Sequence, residues 1–333
     1  MKKVFAALLL LSLCLCAAPA AADSGKLVIY TTVSKGVVKE LVPLFEAQTG
    51  IKVELVSAGV GELIKRIQSE KDNPLADVLW GSALASIKAA GESCFEKYLS
   101  PNDGAVLERY RNSEGWITRH ALAVRCLLVN KNLIGDVPVA GYADLLNPAL
   151  KGKIAHTDPS ASSSGFGHLC NMLYAMGGGD PEKGWDYVDK LCANLDNKLQ
   201  NSSSGVWKGV SDGEYTVGLT YEEVALAAVK SGAPVKIVYM KEGCFVEANC
   251  TAIVAGAKNL ENAKKFIDFL TGAEAQNLLG NKLNLRGVRA DVKLAGDFTD
   301  TDQIPLIPGD TSKAGSMKKA WLAHFKDLFI AYE

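Results

Sequence analysis

A chain of 333 residues with 48% hydrophobic side chains can bury one large core or two ordinary ones, and it is too apolar to stay disordered. Its 36 Lys and Arg nearly balance 37 Asp and Glu, so the formal net charge is −1, which argues against a nucleic-acid partner. The single long apolar run sits at the extreme N-terminus, which excludes a polytopic membrane protein.

That run is the first predicted element. Lys2 and Lys3 precede an apolar stretch at 4–16, too short to span a bilayer comfortably, and small residues follow at Ala20 and Ala22. The pattern is an export signal cut after Ala22, which leaves a mature chain of net charge −3 in the periplasm. Cys14 and Cys16 each follow a Leu rather than a small residue, against a lipid anchor. Export makes the other six cysteines candidates for disulfides. Cys244–Cys250 would close a short turn and Cys170–Cys192 would join successive helices, leaving Cys94–Cys126; buried free thiols are the other reading.

Strands and helices alternate through the mature chain. Segment 27–32 (LVIYTT) is a strand, Val37, Leu41, Leu44 and Phe45 recur at helical spacing, and 51–56 (IKVELV) alternates like a strand. Leu63, Ile64 and Ile67 mark a second helix, 76–80 a third strand and 82–90 a third helix. After a long β-rich stretch at 116–130 the pattern restarts: strand 153–157, helices 165–176 and 182–195, strand 215–220, helix 222–231, strand 235–240. A second β-rich stretch at 250–255 precedes a helix at 260–270, and Met317, Trp321, Phe325, Leu328 and Phe329 stripe a C-terminal one. Short strand-to-helix loops predict parallel α/β sheets, and two extended stretches predict two lobes between which the chain crosses twice.

Open α/β sheets bind ligands beyond the carboxyl ends of their strands. Here those loops carry hydroxyls and glycines: Thr31, Thr32 and Ser34; Gly59; Ser82; Ser162, Ser163 and Ser164; Ser203 and Ser204; then Tyr221 and Glu222. Each opens a helix, whose free N–H groups and dipole favour an anion. A lone Ser or Thr there is also what a helix N-cap uses, so each residue is a cap or a ligand contact until the loops are seen together. Glu222 either accepts from a ligand hydroxyl or amine or offsets the helix dipole. His168, close to the serine run, reads as a helix-surface or ligand-contacting residue rather than a base. The sequence has no G-x-S-x-G elbow, no P-loop and no Cys/His spacing for zinc, so no catalytic residue, metal or cofactor is assigned.

Segments 61–67 (GELIKRI), 70–74 (EKDNP) and 76–81 (ADVLWG) resemble periplasmic solute-binding proteins of ABC importers, in the ferric-iron, thiamine, phosphonate and sugar-phosphate class. Segment 153–165, with Asp158, Pro159 and the serine run, is similar to that family's second-lobe ligand loop, and 212–222 to another family segment. The resemblance spans nearly the whole mature chain. It implies a two-lobed type II binding fold with two interlobe crossovers, a non-catalytic monomer that closes on a small solute, and an inner-membrane permease as partner. The expected limits are 23–119 plus 251–298 for one lobe, 120–250 for the other, and 299–333 for a C-terminal helical segment packed on both. Ferric-ion members use adjacent tyrosines, whereas Tyr221 is followed by Glu222; the hydroxyl-rich loops suit a phosphorylated or phosphonate solute. Iron or thiamine binding is the alternative, and a secreted hydrolase using the serine-rich cleft a minor one.

Overall fold

A computed structural model describes residues 25–296, 298–307 and 313–332. The export signal, with Ala22, Cys14 and Cys16, lies outside the described residues. The first lobe opens with β1 (Lys26–Thr31), α1 (Lys35–Thr49), β2 (Lys52–Ser57), α2 (Val60–Ser69), β3 (Val78–Ala83) and α3 (Leu84–Ala90). Val37, Leu41 and Phe45, four residues apart, form the buried stripe of α1, and Gly50 ends it with φ 72° and an N–H donated to the Glu46 carbonyl. β1 is parallel to both β2 and β3. Asp77 locks this arrangement: its carboxylate accepts from the Val28 N–H at 2.8 Å and from the Asn259 N–H and side-chain amide, each at 2.9 Å.

β4 (Thr118–Asn130) is 13 residues long and serves two sheets. Its first half, up to Val124, pairs antiparallel with β8 (Val246–Ile253) in the sheet of β1 to β3. From Arg125 it pairs with β6 (Val217–Tyr221), and from Leu127 also with β7 (Val235–Val238), in a second sheet. That second lobe also holds β5 (Ile154–Ala155), α4 (Ser163–Met176), α5 (Trp185–Leu195), α6 (Ser203–Ser211) and α7 (Glu222–Lys230). β8 returns the chain to the first lobe, where α8 (Leu260–Thr271), α9 (Ala273–Asn277) and β9 (Arg286–Gly287) follow, and α10 (Lys313–Ile330) closes the chain. Trp321, Phe325 and Phe329 of α10 join the second-lobe core with Leu173, Trp185 and Val188. The second crossover begins at Val246, four residues before the expected β-rich stretch, because Glu247 and Asn249 interrupt the apolar run while still pairing with β4.

Two expectations are corrected. The six cysteines among the described residues are all free thiols. Cys244–Cys250 fails because Val246 to Cys250 is extended strand, about 13 Å long, where a disulfide needs Cα atoms within about 7 Å. Cys94–Cys126 fails because Cys94 packs at the edge of a first-lobe core and Cys126 lies in a second-lobe core. Cys170 and Cys192 sit on α4 and α5 within one core, unbonded, each thiol pushed up to about 12 by burial. His168 is not on a helix surface: it is fully buried, 2.6 Å from the Thr220 carbonyl, just before Tyr221, and 2.9 Å from the Tyr142 hydroxyl. The apolar positions of α4 run almost all the way round it, so its polar-looking histidine faces protein.

Candidate functional site

Strand polarity places the site. β4 runs parallel to β3 and leaves the first lobe at its carboxyl end, so β1, β2 and β3 also end at the crossover. In the second lobe β6 is antiparallel to β4 and β5 parallel to β6, so both end facing back toward it. The loops after five strands therefore meet from two sides across one gap, where helices α1, α2, α3, α4 and α7 start, and Gln200, just before α6, pairs with Thr157 beside the end of β5.

On the first-lobe side, Ser34 is the exposed N-cap of α1 and makes no side-chain cap bond, and Gly59 opens α2. Thr31 is buried: its hydroxyl donates to the Trp80 carbonyl and accepts from the Val33 N–H, both at 3.1 Å, so it holds the loop rather than facing the gap. Thr32 is exposed and donates to the Gly81 carbonyl at 2.5 Å. Gly81 has φ +95°, and a Cβ there would meet the Val33 side chain at 2.1 Å, so glycine lets the two loops touch. Ser82 follows at a break in the β3 register, 1% exposed, its hydroxyl without a partner among the described residues.

On the second-lobe side, Ser162 caps α4 by accepting the Ser164 N–H at 3.1 Å. Ser163 is exposed, and Ser164 is 7% exposed with an unpartnered hydroxyl. Ser202 caps α6 and its hydroxyl lies 3.0 Å from that of Ser204. Ser203 lies against the phenol of Tyr221, which burial first and Glu223 next push toward the neutral form. Glu222 does not face the gap. It is 2% exposed and ion-paired to Arg286 at 2.6 Å, with the Tyr239 hydroxyl bonded to the same oxygen. The adjacent Glu223 is only partly buried, and desolvation pushes its carboxyl up.

Sequence reasoning missed Arg125. It stands opposite Tyr221 across the β4–β6 pair, so the two side chains share a face. Its side chain is 11% exposed, and its Nε has no partner among the described residues. The Glu247 carboxylate is 3.8 Å from it. A Cβ on Gly167 would meet the guanidinium at 2.5 Å, so the group lies against the first turns of α4, the helix that carries Ser164. The available signal was a charged residue inside an apolar strand, RCLLVN, where a buried cation needs an anion. Among the described residues, no group of three or more His, Cys, Asp or Glu could hold a metal. Surface pockets of about 410 Å³ near Gln48 and about 270 Å³ near Tyr110 include none of the expected site residues.

Comparisons with known proteins bear on the family and the fold. A family profile described as bacterial extracellular solute-binding protein matches residues 40–305. A Salmonella typhimurium protein named for 2-aminoethylphosphonate binding in the periplasm is 28% identical over 254 residues, 74% of this chain and 73% of that one. The Fe(3+)-binding periplasmic protein of Serratia marcescens is 29% identical over 275 residues, 78% of this chain and 77% of that one. The structure of the periplasmic binding protein P5PA superposes with a TM-score of 0.70 at 26% identity, covering 92% of this chain and 99% of that one. A ferric binding protein from Campylobacter jejuni shares the fold, with a TM-score of 0.72 at 22% identity over 91% of this chain and 99% of its own. The fold is that of type II periplasmic binding proteins.

Proposed function

The chain belongs to the bacterial extracellular solute-binding proteins, and from that premise we propose that it captures a small anionic solute, a phosphorylated or phosphonate compound, between its lobes. It is a solute-binding component of an ABC transporter, and its relatives are periplasmic transport proteins rather than enzymes. No described helix is long and apolar enough to cross a membrane. Our reading is that the mature protein is a periplasmic monomer that hands its solute to an inner-membrane permease. We propose lobes of 23–119 with 251–298 and of 120–250, with 299–333 packed on them, the sheet pairing setting the crossings a few residues inward, at Val124–Arg125 and Val246–Glu247.

The observation that carries the anion is Arg125, a largely buried guanidinium with an unmet donor beside the N-terminus of α4. Withdrawing such a charge from water is costly unless an anion compensates it. Ser164 and Ser82 add two buried hydroxyls that lack protein partners among the described residues. In this reading Ser162, Ser163, Ser164 and Arg125 hold the anionic group. Ser203 and Tyr221 contact the remainder, and Thr32, Ser34, Gly59 and Ser82 close over it from the first lobe.

Calorimetry on refolded, solute-free protein tests this with inorganic phosphate, a hexose phosphate, 2-aminoethylphosphonate, thiamine phosphate and ferric citrate. Binding at about micromolar or tighter is expected for one of the phosphorus compounds. A bond to a charged group is worth about 1.5–3 kcal/mol, so Ser164→Ala should weaken it about tenfold or more and Arg125→Met further. Tight Fe(III) binding with a visible tyrosinate band, and no heat from any phosphorus compound, would replace this reading with iron carriage.

A further inference from the structure

Helix α7 belongs to the second lobe by packing: Ala225 and Ala228 share a core with Cys126 and Leu128 of β4. Both its ends are nonetheless tied to one segment of the first lobe. At the N-terminal end, Glu222 receives Arg286 Nη2 on one oxygen at 2.6 Å and Nε on the other at 3.1 Å. Arg286 is 0% exposed and lies in β9, which pairs with β4 at Leu122. The Thr301 hydroxyl at 2.9 Å and the Phe298 ring at 5.2 Å enclose its other side. At the C-terminal end, Lys230 Nζ donates to the Asn281 carbonyl at 3.2 Å and to the Asn284 side chain. These asparagines lie between α9 and β9, where Leu279 is part of a first-lobe core.

We infer that the Glu222–Arg286 pair is a third pivot of the hinge, beside the crossovers β4 and β8, and that Glu222 is a positioning residue for the solute site. The forked geometry satisfies both carboxylate oxygens, and separating the pair would leave two buried charges uncompensated. The contact therefore persists while the lobes open and close. A rotation that spares β4 at Val124–Arg125, β8 at Val246–Glu247 and this pair has its axis close to all three. Tyr221 and Glu223 flank Glu222, and Arg125 sits in the β4 crossing, so these three move least. The N-termini of α4 and α6, which meet Arg125 at Gly167 and Tyr221 at Ser203, move with the second lobe. The site is thus assembled on the pivot side before closure, and Ser162, Ser163 and Ser164 meet Thr32 and Ser34 only as the lobes come together. This rests on lobe closure in the proposed receptor but on no particular solute, so its test uses none.

Hydrogen–deuterium exchange and small-angle scattering on the solute-free full chain decide it. The double variant Glu222→Gln, Arg286→Met removes both charges and leaves no lone buried ion. Exchange over 221–226 and 281–287 is expected to rise at least about tenfold while β1, β3 and α5 keep their protection, with a larger radius of gyration. If the double variant does not fold, Lys230→Ala cuts only the exposed tie. It should speed exchange at the last turn of α7 and at 281–284 about threefold with an unchanged unfolding midpoint. Unchanged exchange in these segments, or a rise spread evenly over the second lobe, overturns the pivot. Neither result bears on which solute binds.

Discussion

His156 is fully buried, 6.1 Å from the Phe325 ring and 6.3 Å from His168, and neither ring nitrogen has a partner among the described residues. Burial holds its pKa at about 4, against about 6.5 in the unfolded chain. Its folded pKa is lowered, so as pH falls below about 6.5 the unfolded state takes up a proton that the folded state refuses. Stability declines from there by up to about 1.4 kcal/mol per pH unit for this group until the folded state protonates too, near pH 4. Replacing an unsatisfied polar ring by an apolar one of similar shape removes that slope. His156→Phe is expected to match or exceed wild-type stability at pH 7 and to flatten urea-unfolding free energies between pH 6.5 and 4.5; an equally steep decline would contradict it. His168 makes two buried hydrogen bonds, so the same swap there leaves the Thr220 carbonyl and the Tyr142 hydroxyl stranded. Nothing in the local sequence separates these two histidines, because the difference is which distant groups face each ring.

Helix α4 is the element on which the proposed site depends, and two of its glycines are there for different reasons. A Cβ at Gly165 would fall 2.5 Å from the Thr157 carbonyl oxygen, a backbone atom that cannot move without the loop. At Gly167 it would meet the Arg125 guanidinium at the same 2.5 Å, the end of a flexible side chain. Gly165→Ala should cost about 1–3 kcal/mol of stability by overpacking. Gly167→Ala should leave the unfolding midpoint almost unchanged yet weaken solute binding about tenfold by displacing Arg125. Equal losses of stability in both variants would remove Arg125 from the site. The helix itself was readable from its apolar spacing. Its partner in β4 was not, because Arg125 and Gly167 lie 42 positions apart and meet only in the folded sheet.

At the scale of the whole molecule, β4 and β8 make the two lobes one hinged body, and six thiols are shut away within it or at its edge. Thiol titration under denaturing conditions, on protein processed after Ala22 and never exposed to reductant, is expected to count six sulfhydryls. A count near zero would restore disulfides and require the Cys244 region to rearrange. Burial pushes Cys170, Cys192, Cys244 and Cys250 up to about 12, so these remain neutral, unreactive thiols in the folded protein.

The alternation of strands and helices, the two crossings, the loops that open helices and the family were legible in the residue order alone. These depend on period, caps and short runs such as ADVLW, all of them local. Asp77 in that run was legible as a family mark; that it pins β1 to the start of α8 was not, since Asn259 is 182 positions away. The packed fold alone shows that Thr31 braces a loop, that Glu222 is consumed by Arg286 64 positions on, that Arg125 lies against α4 and that the cysteines stay apart. The physical reason is that a side chain's role is set by the charges and donors packed around it, and in this fold those arrive from the other lobe or from the far side of a sheet.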